Sequence, residues 1–269
     1  MKTSFNKKSL REKDLIIFDL DGTLTESKSD MDVKTAKLIL RLLQKKLVAV
    51  IGGGNYNQFK KQFIGKLNSP RGYLKNLFLF PTTATSFYRY KNGWQRVYQE
   101  VFLKTEKKKI MLALPRAIQK SGYIRPSKVY GKLIEDRGSQ ISFSALGQDI
   151  VAILGKRGVA LKEKWRKENT PLKLRIVKIL QRMLPEFEVR AAGYTTIDIT
   201  RKGIDKAYGV RQIRKKLGVS IKKMVFVGDA LFPGGNDYAA RKTGIDCIQI
   251  SGPKETREII RAIISSSKN

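Results

Sequence analysis

Asp19 and Asp21 stand one residue apart at the end of an apolar run, Leu15-Ile16-Ile17-Phe18, and are followed by Gly22-Thr23. Side chains two apart on a strand share a face, and a turn beginning at Gly22 can re-aim the second. Two carboxylates at the carboxyl end of a buried strand repel one another unless a cation lies between them. Mg²⁺ suits such a pair, because it takes oxygen ligands and brings substrate phosphate with it. The same residues also read as a strand ending in an ordinary Asp-Gly turn. The remainder of the chain decides between the two.

Composition removes several chemistries. The chain has no histidine, which excludes Ser-His-Asp and Cys-His catalysis and imidazole metal sites. Acid–base work therefore falls to Asp, Glu, Lys or Tyr, and a metal site should be all-oxygen. The single cysteine, Cys247, excludes an internal disulfide, and such usage fits a reducing cytoplasm. In the strand-like run Asp246–Ile250 it reads as a small buried residue. Lys and Arg number 55 against 23 Asp and Glu, a net charge of +32. A nucleic-acid partner is the obvious reading of that charge. The basic residues are spread along the chain without an aromatic-interleaved block, however, which favours a solvated surface attracting anionic substrates in general. No apolar run reaches the ~20 residues of a membrane span, so no membrane partner is expected. The polar, basic start Met1–Lys13 reads as frayed, and the apolar run after it is too short for a signal peptide.

The elements that must position the acids follow from periodicity. After the first strand, Val33, Ala36, Leu40, Leu43 and Leu47 recur at helical spacing behind a capping Asp32. Residues 48–51 form a second strand running into Gly52-Gly53-Gly54-Asn55; Phe59, Phe63 and Leu67 mark a helix closed by Asn68-Ser69-Pro70, and 77–80 is a third strand. This β-α-β-α-β rhythm specifies a parallel doubly wound sheet. Ser86–Tyr90 and Trp94–Tyr98 flank Lys91-Asn92-Gly93 as a hairpin. A helix near 104–121, strand character over 131–143, a polar stretch, a helix near 172–184 and a second hairpin over 187–200 complete an α+β middle third. After Gly203 the first rhythm returns: a helix through Ala207, Val210, Ile213 and Leu217, a strand 224–227 ending at Gly228-Asp229, a short helix after Asp237, a strand 246–250, and a last helix with Ile259, Ile260 and Ile263. The expected domains are 1–82 and 201–269 for the core, with 83–200 inserted. In such a sheet the order is 3-2-1-4-5, and ligands bind at the switch point between strands one and four. That topology brings Asp19 and Asp229 together.

These residues resemble the haloacid-dehalogenase-like (HAD) superfamily, subfamily IIB, and within it the phosphomannomutase-like branch. The resemblance is carried by Phe18-Asp19-Leu20-Asp21-Gly22-Thr23, Lys206 after Gly203-Ile204-Asp205, and Gly228-Asp229 through Gly234-Gly235-Asn236-Asp237. Ile134–Ser144 and Thr196-Ile197-Asp198 resemble that branch's substrate-binding cap. The resemblance implies a HAD-like Rossmannoid core with an α+β cap that closes over the switch point and excludes water. It implies Asp19 as a nucleophile forming an aspartyl-phosphate, Asp21 as general acid and base, and Lys206 as a stabiliser of phosphoryl charge. Mg²⁺ would be held by Asp19, the main chain of Asp21 and Asp229, with Asp237 supporting the metal or orienting Lys206, and Asn236 nearby. Arg137, Thr196 and Asp198 would contact the sugar phosphate.

Two departures shape the functional expectation. The family's Ser or Thr after strand two is absent, so either Asn55 or the backbone N–H groups of Gly53 and Gly54 bind phosphate there, or that job is left undone. Gln148 stands where the mutases carry a further phosphate-binding arginine. The expectation is thus a Mg²⁺-dependent phosphatase of sugar phosphates, with phosphomannomutase as the close alternative. A nucleic-acid-binding protein, or a sugar-phosphate binder without turnover, stands further off. Tyr88, Tyr90, Trp94 and Trp165 are expected in the cap's core rather than against a ligand.

Overall fold

The structure is a computed structural model that describes residues 10–26, 29–68 and 70–266. Residues 1–9 of the polar start and Ser69 of the expected helix stop lie outside the described residues. The chain divides into two compact units, Glu100–Ile204 and the remainder.

The first unit is built on a seven-stranded sheet. Its strands are β1 (Leu15–Asp19), β2 (Leu47–Ile51), β3 (Leu77–Phe80), β4 (Ser86–Tyr90), β5 (Trp94–Gln99), β10 (Met224–Gly228) and β11 (Asp246–Gln249), in the order β11-β10-β1-β2-β3-β4-β5. The five from β11 to β3 run parallel, and β4 and β5 add an antiparallel edge. Alternation along β1 sorts its side chains. Ile16 and Phe18 join the core beneath the helices Val33–Leu43 and Pro253–Ser266, whereas Leu15 and Ile17 join the core on the face of the helix Lys206–Leu217. Asp19 has the parity of Leu15 and Ile17, so it emerges on the face that carries Lys206.

The hairpin β4–β5 belongs to this sheet, not to the insertion. Thr82, Thr83 and Ala84 all adopt positive φ (50°, 56° and 65°), a tight left-handed reversal that folds β4 back along β3. Ring packing then favours the attachment: Phe80 stacks on Phe87 at 4.5 Å and Tyr56 on Tyr88 at 3.9 Å. Tyr88, Tyr90 and Trp94 consequently pack on the core of the first unit, and only Trp165 joins the core of the second. The boundaries of the insertion move from 83 to 100 and from 200 to 204.

The second unit holds a four-stranded antiparallel sheet, β6 (Ile134–Asp136), β7 (Gln140–Ser144), β8 (Phe187–Ala192) and β9 (Thr196–Arg201), ordered β6-β7-β9-β8. The helices Lys104–Lys120 and Lys156–Met183 pack on it through Ile110, Leu114, Ile176 and Leu180. The stretch read before 172 only as polar is helical, as Ile150–Leu154 and the first half of the 28-residue helix. Pro171 lies inside that helix without ending it. Asn169 and Thr170 donate to the carbonyls of Trp165 and Arg166, one turn back, beside the break in the ladder. Leu47, expected at the end of a helix, begins β2.

Candidate active site

Asp19 is the last residue of β1 and is buried; its backbone is level with Ile51 at the end of β2. Asp229 directly follows β10, the other neighbour of β1. Lys206 reaches Asp19 from the first turn of its helix. That helix starts at Lys206 because Asp205 caps it, accepting a hydrogen bond from Tyr208 N at 2.8 Å. The Lys206 ammonium donates to Asp19 Oδ1 and to the Ile51 carbonyl at 3.4 Å. It also lies 3.1 Å from Asp237 Oδ1. Asp237 Oδ1 is fully buried, and the Lys206 ammonium is what faces it. Asp237 Oδ2 accepts from Ala230 N at 3.3 Å.

Asp19, Asp229 and Asp237 each offer a carboxylate oxygen, and these oxygens lie within 4.8 Å of one another. Three carboxylates against one ammonium leave a formal excess of two negative charges in a buried space. Burial, then Asp237, pushes the Asp229 carboxyl up to about 6. Burial and the charges of Asp237 and Asp229 push Asp19 well up, against the pull of Lys206. Burial disfavours the Lys206 ammonium, but Asp19 and Asp237 outweigh it, so its pKa rises and the lysine stays charged. Gly22 completes the cradle. Its φ is +86°, and a Cβ there would lie 2.5 Å from Asp229 Oδ2. An all-oxygen cluster with this excess of negative charge fits a hard divalent cation.

This fit has a pH signature. A carboxyl whose folded pKa lies above its ordinary value of 3.8 binds its proton more tightly in the folded state. Its stabilisation is present at low pH and is lost as pH rises through about 6. The metal-free protein should therefore lose stability from Asp229 between about pH 4 and 6, and a bound cation should restore it. Melting temperatures with Mg²⁺ and with EDTA are expected to diverge more at pH 7 than at pH 5; an equal gap at both would contradict the cluster as the binding site.

Other expected residues fall in two places. Asp21 lies beyond β1 in a bridge with Thr25, and its Oδ2 accepts from Gln58 Nε2 at 3.3 Å. Gly53 and Gly54 follow β2, while Asn55 Oδ1 caps the helix Tyr56–Gln62 by accepting from Gln58 N at 3.0 Å. Asn236 is exposed on the loop before Asp237. In the second unit, Arg137 follows β6, and its Nε and Nη2 both lie 2.8 Å from Glu135 Oε2. Its Nη2 also donates to Gln148 Oε1 at 3.3 Å. Asp198 Oδ1 accepts from Ser142 Oγ at 2.6 Å across the β7–β9 pair, and Thr196 is buried at the start of β9. Arg137 is thus no surface arginine: its side chain is 6% exposed.

Two side chains to which the sequence reading gives no role also reach the acids. Thr23 Oγ1 donates to Asp229 Oδ1 at 3.4 Å. Gln58 had a sequence signal: Asn55-x-x-Gln58 has the spacing of a capping box, which turns the third helical side chain back over the helix start.

Residues 35–266 match the sequence model of the eukaryotic phosphomannomutase family. The chain is 28% identical over 268 residues to a phosphomannomutase of Encephalitozoon cuniculi, covering 94% of each chain. It is 24% identical to human phosphomannomutase 1, covering 85% of this chain and 83% of that one. Among solved structures it is similar to a Plasmodium falciparum IMP-nucleotidase mutant, with a TM-score of 0.68 at 20% identity over 97% of this chain and 69% of that one. An Aspergillus fumigatus trehalose-6-phosphate phosphatase is similar at a TM-score of 0.57 and 13% identity, over 98% and 100%. Both structural likenesses speak to the fold. No described helix is long and apolar enough to cross a membrane. With its HAD-type carboxylates and lysine assembled at the ends of β1 and β10, the chain belongs to the eukaryotic phosphomannomutase family and is a phosphoryl-transfer enzyme.

Proposed function

We propose that the chain is a Mg²⁺-dependent phosphatase of sugar phosphates. Asp19 attacks the phosphorus of a phosphomonoester, forming an aspartyl-phosphate as the ester P–O bond breaks. Asp21 gives its proton to the departing sugar oxygen, then takes one from the water that attacks the aspartyl-phosphate and frees Asp19. Lys206 holds the Asp19 carboxylate in place and faces the charge of the transferring group. Mg²⁺ held by Asp19, Asp229 and the Asp21 carbonyl, with Asp237 in support, would offset charge on the phosphoryl oxygens. Asp237 also fixes Lys206 from its other side.

The observation that carries hydrolysis over transfer is the state of Arg137. A mutase must hold a sugar bisphosphate by its non-reacting phosphate, turn it round, and keep water off the aspartyl-phosphate meanwhile. That task calls for several cations. Arg137 is already paired with Glu135, and the side chain beside it is the neutral Gln148. A carboxylate on the guanidinium weakens its hold on a phosphate, and an amide in place of a second guanidinium removes a charge-assisted bond of about 1.5–3 kcal/mol. Thr196 and Asp198 are assigned the sugar hydroxyls. Family membership favours the second reading, interconversion of mannose 1-phosphate and mannose 6-phosphate.

Product analysis with mannose 1-phosphate and a catalytic amount of the 1,6-bisphosphate separates the two. Mostly inorganic phosphate is expected, and Gln148→Arg should shift the ratio toward transfer. Mannose 6-phosphate forming much faster than free phosphate would overturn the hydrolase reading.

A further inference from the structure

Gly54 is buried in the loop after β2, and the space over its Cα is filled by another residue. A Cβ at position 54 would lie 2.5 Å from Gln58 Cδ and 3.0 Å from Gln58 Nε2. The Gln58 carboxamide therefore sits where a side chain at 54 would start. Its orientation is set by acceptors: one Nε2 hydrogen serves Asp21 Oδ2 at 3.3 Å and the other serves Gln62 Oε1 at 3.1 Å. Gln62 is itself buried, so it anchors the amide from below. Asn55 fixes the other end of Gln58, because its side chain caps the Gln58 backbone N–H.

We propose that Gln58 is a positioning residue for the reaction: admitted by the bare Cα of Gly54, its carboxamide holds the Asp21 carboxyl in the orientation for proton transfer to the leaving oxygen. The glycine at 54 and the glutamine one turn on are then a single device. The inference rests on the reading of Asp21 as general acid, and a change at either Gly54 or Gln58 disturbs the same proton transfer.

The test compares kcat/KM for mannose 1-phosphate, whose alkoxide leaving group needs a proton, with that for p-nitrophenyl phosphate, whose leaving group needs little help. This parameter covers the steps through leaving-group departure. Gln58→Met keeps the length of the side chain without the donor. It is expected to lose about tenfold more with the sugar phosphate than with the nitrophenyl ester, a fraction of the effect of a whole general acid. Gly54→Ser, which drives a Cβ into the carboxamide, should show the same bias, and adding it to Gln58→Ala should deepen that bias no further. Equal losses on both substrates with Gln58→Met would overturn the proposal, since a structural defect does not distinguish leaving groups. Asp21→Asn identifies the level of failure. If it shows the bias and Gln58→Met does not, the positioning role alone falls; if Asp21→Asn lacks the bias, the acid assignment falls and takes the proposal with it.

Discussion

Lys206→Met is expected to abolish turnover and to destabilise the metal-free protein by about 3–5 kcal/mol, the cost of removing one partner from a buried ion cluster. The lysine is 3% exposed and lies between Asp19 and Asp237, which are equally buried. Methionine fills much of its volume, so the effect is electrostatic rather than a cavity. Without the ammonium, Asp237 Oδ1 faces neither a hydrogen-bond donor nor a cation, and Asp19 loses its donor at Oδ1. The three carboxylates of the cluster are then uncompensated. Two conditions should soften the loss: Mg²⁺ supplies positive charge, and low pH protonates Asp229, whose pKa is about 6. Urea unfolding of both proteins with EDTA, at pH 5 and pH 7, measures this. A difference below about 1 kcal/mol at pH 7 would place the lysine among exposed, weakly coupled charges and contradict the geometry.

Asp19→Asn is expected to lower kcat by about 10⁴-fold or more, the scale seen when a covalent nucleophile is removed. The amide has nearly the shape of the carboxylate, so the fold should persist. The substitution removes one of three crowded negative charges, but it also weakens the partner of Lys206. The two changes oppose each other, and the melting temperature should shift far less than in Lys206→Met. Circular dichroism melts together with phosphate release separate catalysis from folding. A variant that retains even a tenth of the wild-type rate would remove Asp19 from the nucleophile's role.

How much of this was legible in the sequence varies with the physics of each part. Asp19 and Asp229 could be placed together because parallel strands feed their carboxyl ends to one edge, and topology fixes which strands are neighbours. Lys206 was legible as a residue type after Gly203, but its burial was not; that depends on the Asp205 cap aiming the first helical turn at β1. The hairpin 86–99 was correctly read as a hairpin and wrongly assigned to the insertion. Its attachment depends on three non-glycine residues at positive φ, a conformation that Thr82 and Thr83 do not advertise. The second half of the helix Lys156–Met183 is legible as the helix near 172–184, but the first half is polar nearly all round and Pro171 resembles a helix start. Its buried positions include Gly158, Lys162 and Lys173, none of which contributes to an apolar stripe. The burial of Arg137 against Glu135 joins a residue of β6 to the one just past its end, a pairing that the motif did not signal.

The measurement that bears most directly on the central claim is the identity of the phosphorylated residue. The protein would be mixed with Mg²⁺ and mannose 1-phosphate, quenched in acid within a turnover, and mapped by peptide mass spectrometry after reductive trapping of acyl phosphates. A phosphoryl group on the peptide containing Leu15–Thr25, located at Asp19 and absent from Asp19→Asn, is the result predicted here. Covalent phosphate on any other side chain, or steady turnover with water attacking substrate directly and no label at Asp19, would contradict it.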